Sequence, residues 1–87
     1  MKIVIHPRVH ERHPELSDED VVNAYQAAIA SAYWDDEAWI VLGLDAKGRT
    51  VEMIGRFIRR DLFLIYHAVT PPTKKIMNEI RRLGGLI

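Results

Sequence analysis

The stretch that most constrains this chain is Asp61–Ile80, DLFLIYHAVTPPTKKIMNEI. It opens on a run of large apolar residues, Leu62–Tyr66, of the length of a buried strand. His67 and the small Ala68 end the run, and Thr70-Pro71-Pro72-Thr73 stops it. Proline has no N–H for a sheet ladder, and Pro72 pushes its predecessor out of the α region. Thr73 is placed to cap a basic amphipathic helix over Lys74–Leu83. A strand therefore delivers an imidazole to its own end, beside a short helix whose first turn carries Lys74 and Lys75. In a regular strand Tyr66 points away from His67, toward the core.

The rest of the chain reads as scaffold. Lys2–His6 is β-branched and short, a first strand. Pro7 suits the first position of a helical turn that runs to Arg12 and ends before Pro14. Ser17 caps a second helix, and Asp18, Glu19 and Asp20 favour the positive end of its dipole. Val21, Tyr25, Ala28 and Ala32 fall at helical spacing, so this helix is expected over Ser17–Ala32. An acidic link, Tyr33–Glu37, leads into Ala38–Leu44, which is almost wholly apolar and expected as a central strand. Asp45-Ala46-Lys47-Gly48 turns the chain into Thr50–Ile58, and Arg59-Arg60-Asp61 turns it into Leu62–Ala68. Gly84-Gly85 closes the last helix. The order β-α-α-β-β-β-α predicts an α+β domain, with a three- or four-stranded antiparallel sheet and its helices packed on one face.

Composition sets the class. With 87 residues the chain is expected to form a single domain, 1–87, burying ~60–68% of its unfolded surface. Charged residues at 28% against 48% apolar mark a globular chain rather than a disordered one. No apolar run approaches the length of a membrane span, and the early run Ile3–Ile5 is broken by Pro7, Arg8 and His10. A cytoplasmic protein with no membrane partner is the expectation. There is no cysteine, so disulfides and thiolate metal sites are excluded. The net charge of zero hides a polarity. Residues 1–46 carry three basic against nine acidic side chains, and residues 47–87 carry nine basic against three acidic. Either the basic part forms a phosphate-binding surface, or the two parts neutralise each other in the fold.

Three segments together resemble a known family. His10–Val21 reads HERHPELSDEDV, Gly43–Gly55 reads GLDAKGRTVEMIG, and Ile65–Lys75 reads IYHAVTPPTKK. This combination, from His10 to about Glu79, resembles the BrnT-like toxins of bacterial toxin–antitoxin pairs, within the broad RelE/ParE-like group. Where such toxins usually carry a serine and then arginines, this chain reads His67-Ala68-Val69-Thr70. The resemblance implies a RelE-like scaffold and a ribonuclease that cleaves mRNA and arrests translation. It also implies a protein antitoxin as partner, with an RNA substrate. The assembly is left open between a homodimer and a toxin–antitoxin hetero-oligomer. Other RelE-like chains cleave nothing, so a catalytically silent protein-interaction or nucleic-acid-binding module is the alternative.

Cleavage through the ribose 2′-OH needs a base, an acid for the leaving group and cations for the charge on phosphorus, but no metal or other cofactor. His67 is the leading acid–base candidate, because an imidazole ordinarily titrates near pH ~6.5. Its bland alternative is a strand-end histidine bonded to backbone. Arg49 and Lys74 are expected to converge with His67 as the catalytic group. Arg12, His13, Arg56 and Lys75 are candidate substrate contacts, each with a solvated surface role as its alternative. His6, His10 and His13 lie close in sequence, but Pro7 breaks a helix across them and no carboxylate stands at ligand spacing, so no metal site is expected. Trp34, Trp39 and Leu86-Ile87 are candidate exposed residues for an antitoxin segment.

Overall fold

The computed structural model describes residues 1–84. Its elements are β1 (Lys2–Ile5), α1 (Pro7–Arg12), α2 (Asp18–Gln26), β2 (Ala28–Tyr33), β3 (Trp39–Leu44), β4 (Thr50–Arg59), β5 (Leu62–Val69) and α3 (Lys74–Arg82). The strands form one five-stranded mixed sheet in the order β1-β5-β4-β3-β2. From β2 to β5 every pair is antiparallel, whereas β1 runs parallel to β5. The domain is α+β, as expected from the sequence, but three features differ from the expectation.

The sheet is mixed rather than antiparallel, because β1 pairs with the last strand and not with a sequence neighbour. The helix expected to reach Ala32 stops at Gln26, and Ala28–Tyr33 is an edge strand on β3. The apolar spacing that suggested more helix there, Ala28 to Ala32, is too sparse to bury a helix. Pairing with β3 satisfies the backbone of both segments and overrides alanine's helix propensity. Gly43 lets the last turn of α2 lie directly on β3, where a Cβ would overlap the Ala24 carbonyl.

The helices also cover both faces rather than one. Val9 of α1 and Val21 and Ala24 of α2 pack with Val41, Val51, Met53, Phe63, Ile65 and Ala68 on one face. Ile76 and Ile80 of α3 pack with Ala30, Ala32, Ile40 and Leu42 on the other. The alternation of β4 explains this: Val51 and Met53 face α2, while Glu52 and Ile54 share the α3 face. α2 is held by a reciprocal capping box, with the Asp20 amide donating to Ser17 Oγ and the Ser17 amide to the Asp20 carboxylate. No helix is long and apolar enough to cross a membrane, among the described residues. Leu86 and Ile87 lie outside the described residues.

Candidate functional site

β1 accompanies β5 only from Leu62 to Ile65. At His6 the chain leaves the sheet, and α1 takes the space beside the rest of β5. The His6 imidazole caps α1 by accepting from the Arg8 amide at 3.0 Å, and Pro7 opens the helix. Val9 anchors the helix in the core, while Arg8 and Arg12, four apart, turn to one side. With His13, Ile54, Tyr66, His67 and Ala68 they line a cleft of about 210 Å³.

A bulge shapes its floor. Ile54 pairs with His67, but Gly55 pairs with Ile65, leaving Tyr66 as the extra residue of β5. The bulge re-aims the side chain, so Tyr66 lines the same cleft as His67 instead of pointing into the core as a regular strand would require.

His67 is bonded to a carboxylate, not to backbone. Its Nε2 lies 2.7 Å from Glu52 Oε2. Glu52 is buried, at 1% exposure, in the middle of the apolar strand β4. Its other oxygen accepts from both the amide and the hydroxyl of Thr73, each at 2.8 Å. Burial pushes the Glu52 carboxyl up, but the bonds from His67 and Thr73 outweigh it and hold the group below the usual carboxylate range. An ionised carboxylate only accepts, so His67 carries its proton on Nε2 and, when neutral, keeps its lone pair on Nδ1. Thr73 caps α3 by accepting from the Ile76 amide. One threonine thus joins the start of α3 to the carboxylate behind His67. Across the opening stands His13, edge-on to His67 with ring centroids 6.4 Å apart. His13 Nδ1 also lies 3.6 Å from Glu15 Oε2.

The expected residues divide. Arg12 and His13 are brought together with His67. Arg49 is not, and the expected convergence of His67, Arg49 and Lys74 does not occur. The Arg49 guanidinium donates to Asp45 at 2.7 Å, to Asp20 at 3.1 Å and to the Glu15 carbonyl at 3.2 Å. This network joins the acidic and basic parts of the chain. Asp20 is held low first by the Ser17 amide, with Lys47 and Arg49 adding to it, and Asp45 is held low because its bonds from Arg49 outweigh burial. Lys74 is exposed at the start of α3, beyond the cleft lining. Lys75 stands over the Trp34 ring at 5.9 Å, and Arg56 is exposed toward the far end of β4. Trp34 and Trp39 are partly buried, packed against the two cores.

Sequence reasoning missed Glu52, Arg8, Tyr66 and Thr73. The one available signal was a lone carboxylate in an apolar strand, which needs a partner to be buried. Among the described residues no three histidine or carboxylate side chains gather in a metal-binding group. Comparison of the chain with protein-family models, curated proteins and solved structures found no match.

Proposed function

We propose that the cleft is the active centre of a ribonuclease that cleaves RNA through attack of the ribose 2′-OH. The observation that carries this reading is the pair of imidazoles facing one opening, His67 backed by buried Glu52 and His13 opposite. His67 Nδ1 takes the 2′-OH proton while Glu52 holds the ring and stabilises the imidazolium. The 2′-oxygen bonds to phosphorus, the bond to the 5′-oxygen breaks, and His13 gives the leaving oxygen its proton. Arg8 and Arg12 stabilise the charge that builds on the non-bridging oxygens, the role expected of Arg49 and Lys74. The products are a 2′,3′-cyclic phosphate and a 5′-hydroxyl end. Every step runs on the chain's own side chains.

The resemblance to BrnT-like toxins extends the reading to the cell. On that basis the chain is a RelE-like toxin acting on mRNA in the cytoplasm, and a cognate antitoxin neutralises it. Induced expression in bacteria should arrest growth, and His67→Ala should relieve the arrest while the purified variant keeps the native circular-dichroism spectrum. Undiminished arrest by a folded His67→Ala protein would remove the histidine from the mechanism. It would favour the catalytically silent interaction module instead.

A further inference from the structure

Tyr66 lines a second cavity besides the histidine cleft. This one, of about 260 Å³, is lined also by Trp34, Asp35, Asp36 and Ala38. The sheet explains why the two adjoin. Ile54 on β4 pairs with His67 on β5 and with Ile40 on β3, and Ile40 pairs with Ala32 on β2. Trp34 and Ile54 both pack on the α3 face, and the bulged Tyr66 opens to that side as well. The Tyr66 ring is common to both cavities. They form one track, from Arg8 and Arg12 past His67 and Tyr66 to Trp34.

Cations accompany the track. Lys75 stands over the Trp34 ring at 5.9 Å. Arg56 lies two residues after Ile54, on the same side of β4. It is exposed and pairs with no carboxylate among the described residues. Aromatic faces interleaved with cations suit a single nucleic-acid strand. A duplex cannot use them, because its bases are already stacked on each other.

We propose that the cavity between Tyr66 and Trp34 takes the base of the nucleotide whose 2′-OH His67 deprotonates, so that the substrate is single-stranded RNA. This placement rests on the ribonuclease reading of the histidine cleft. His67 and Tyr66 are chain neighbours, so a ribose held at His67 passes its base to Tyr66. The phosphate on its 3′ side meets Arg8 and Arg12, and Arg56 and Lys75 are the cations left for the phosphate on its 5′ side. The carboxylates give the cavity a preference. Asp35 and Asp36 are exposed and form no ion pair among the described residues, and an ionised carboxylate only accepts hydrogen bonds. Cytosine turns an amino group toward them where uracil turns a carbonyl oxygen, and two acceptors repel.

A short 2′-O-methyl oligocytidine tests this. It has no 2′-OH to react, so binding is read without cutting, by the anisotropy of an attached dye. In Trp39→Phe protein Trp34 is the one tryptophan left, and stacking should quench its emission. A 2′-O-methyl duplex of mixed sequence should leave that emission unchanged. Tyr66→Leu and Trp34→Leu keep apolar bulk but lack the π face, and each should raise the dissociation constant ~5–150-fold. Should Trp34→Leu lose the native circular-dichroism spectrum, Tyr66→Leu and the Trp34 quenching carry the test. The matching oligouridine should bind more weakly than oligocytidine, and Asp35→Asn with Asp36→Asn should narrow that gap. Full affinity in the folded leucine variants, an unquenched Trp34, or equal binding of oligouridine would overturn the inference. Cleavage of ordinary RNA by the wild type beside such results would leave the ribonuclease reading standing. Quenching and weakened variants in a protein that cuts no RNA would keep the base site and overturn the ribonuclease reading.

Discussion

At the scale of single residues the fold turns on Glu52. A buried carboxylate is costly unless donors meet it, and here one imidazole, one amide and one hydroxyl do so. Its depressed titration links it to stability. In acid the unfolded chain binds the proton that folded Glu52 resists, so the contribution is complete above the ordinary carboxyl value of ~4.3 and is lost as pH falls through the lowered folded value. Glu52→Gln should cost ~1–3 kcal/mol at neutral pH, since it leaves bonds poorly matched in a buried site. In urea unfolding the gap between variant and wild type should narrow below pH ~4. Asp20 and Asp45 titrate in both proteins, so their contributions cancel in the difference. A gap constant from neutral pH into acid would show that the carboxylate's charge does not matter there. None of this was legible from spacing, because Glu52 and His67 are 15 residues apart and meet only through strand pairing. His67 was legible, because an apolar run ending in histidine and a proline link announces its own end.

Among elements, the second half of the expected helix shows where sequence reading fails. β3, β4 and β5 were readable from apolar runs and turn chemistry, and α3 from its cap. β2 was not, because AIASAY is short and rich in the best helix-forming residue. Its hairpin turn also lacks the usual glycine. Asp36 and Glu37 both take positive φ, 55° and 64°, and the Ala38 amide donates to the Asp35 carbonyl at 3.1 Å. That is the geometry of a two-residue turn that matches strand twist, and glycine suits its second position best. Glu37→Gly should therefore raise stability by ~0.5–1 kcal/mol, by relieving a side chain held in the left-handed region. Thermal unfolding of the variant against the wild type checks this. An unchanged or lower midpoint would mean that the turn holds no such strain.

Across the whole molecule the sheet divides two cores, and its edges decide where chemistry can occur. The charge polarity of the sequence is partly neutralised by Arg49 and Lys47 against Asp20 and Asp45. What remains in the cleft is the pair Arg8 and Arg12, contributed by the acidic part of the chain. Antiparallel order placed Arg49 at the correct end of the sheet but could not show that α2 would bring a carboxylate to it. The parallel partnership of β1 with β5 was equally illegible, since it joins segments sixty residues apart. Yet it is what frees the edge of β5 for α1 and so builds the cleft. The decisive measurement incubates purified protein, in excess chelator, with an RNA strand and with the DNA strand of the same sequence. The RNA should be cut to fragments ending in 2′,3′-cyclic phosphate and the DNA left whole. His67→Ala should cut ~10²–10⁴-fold more slowly. No cutting by the folded wild type, or equal cutting of RNA and DNA, would contradict the assignment of this cleft.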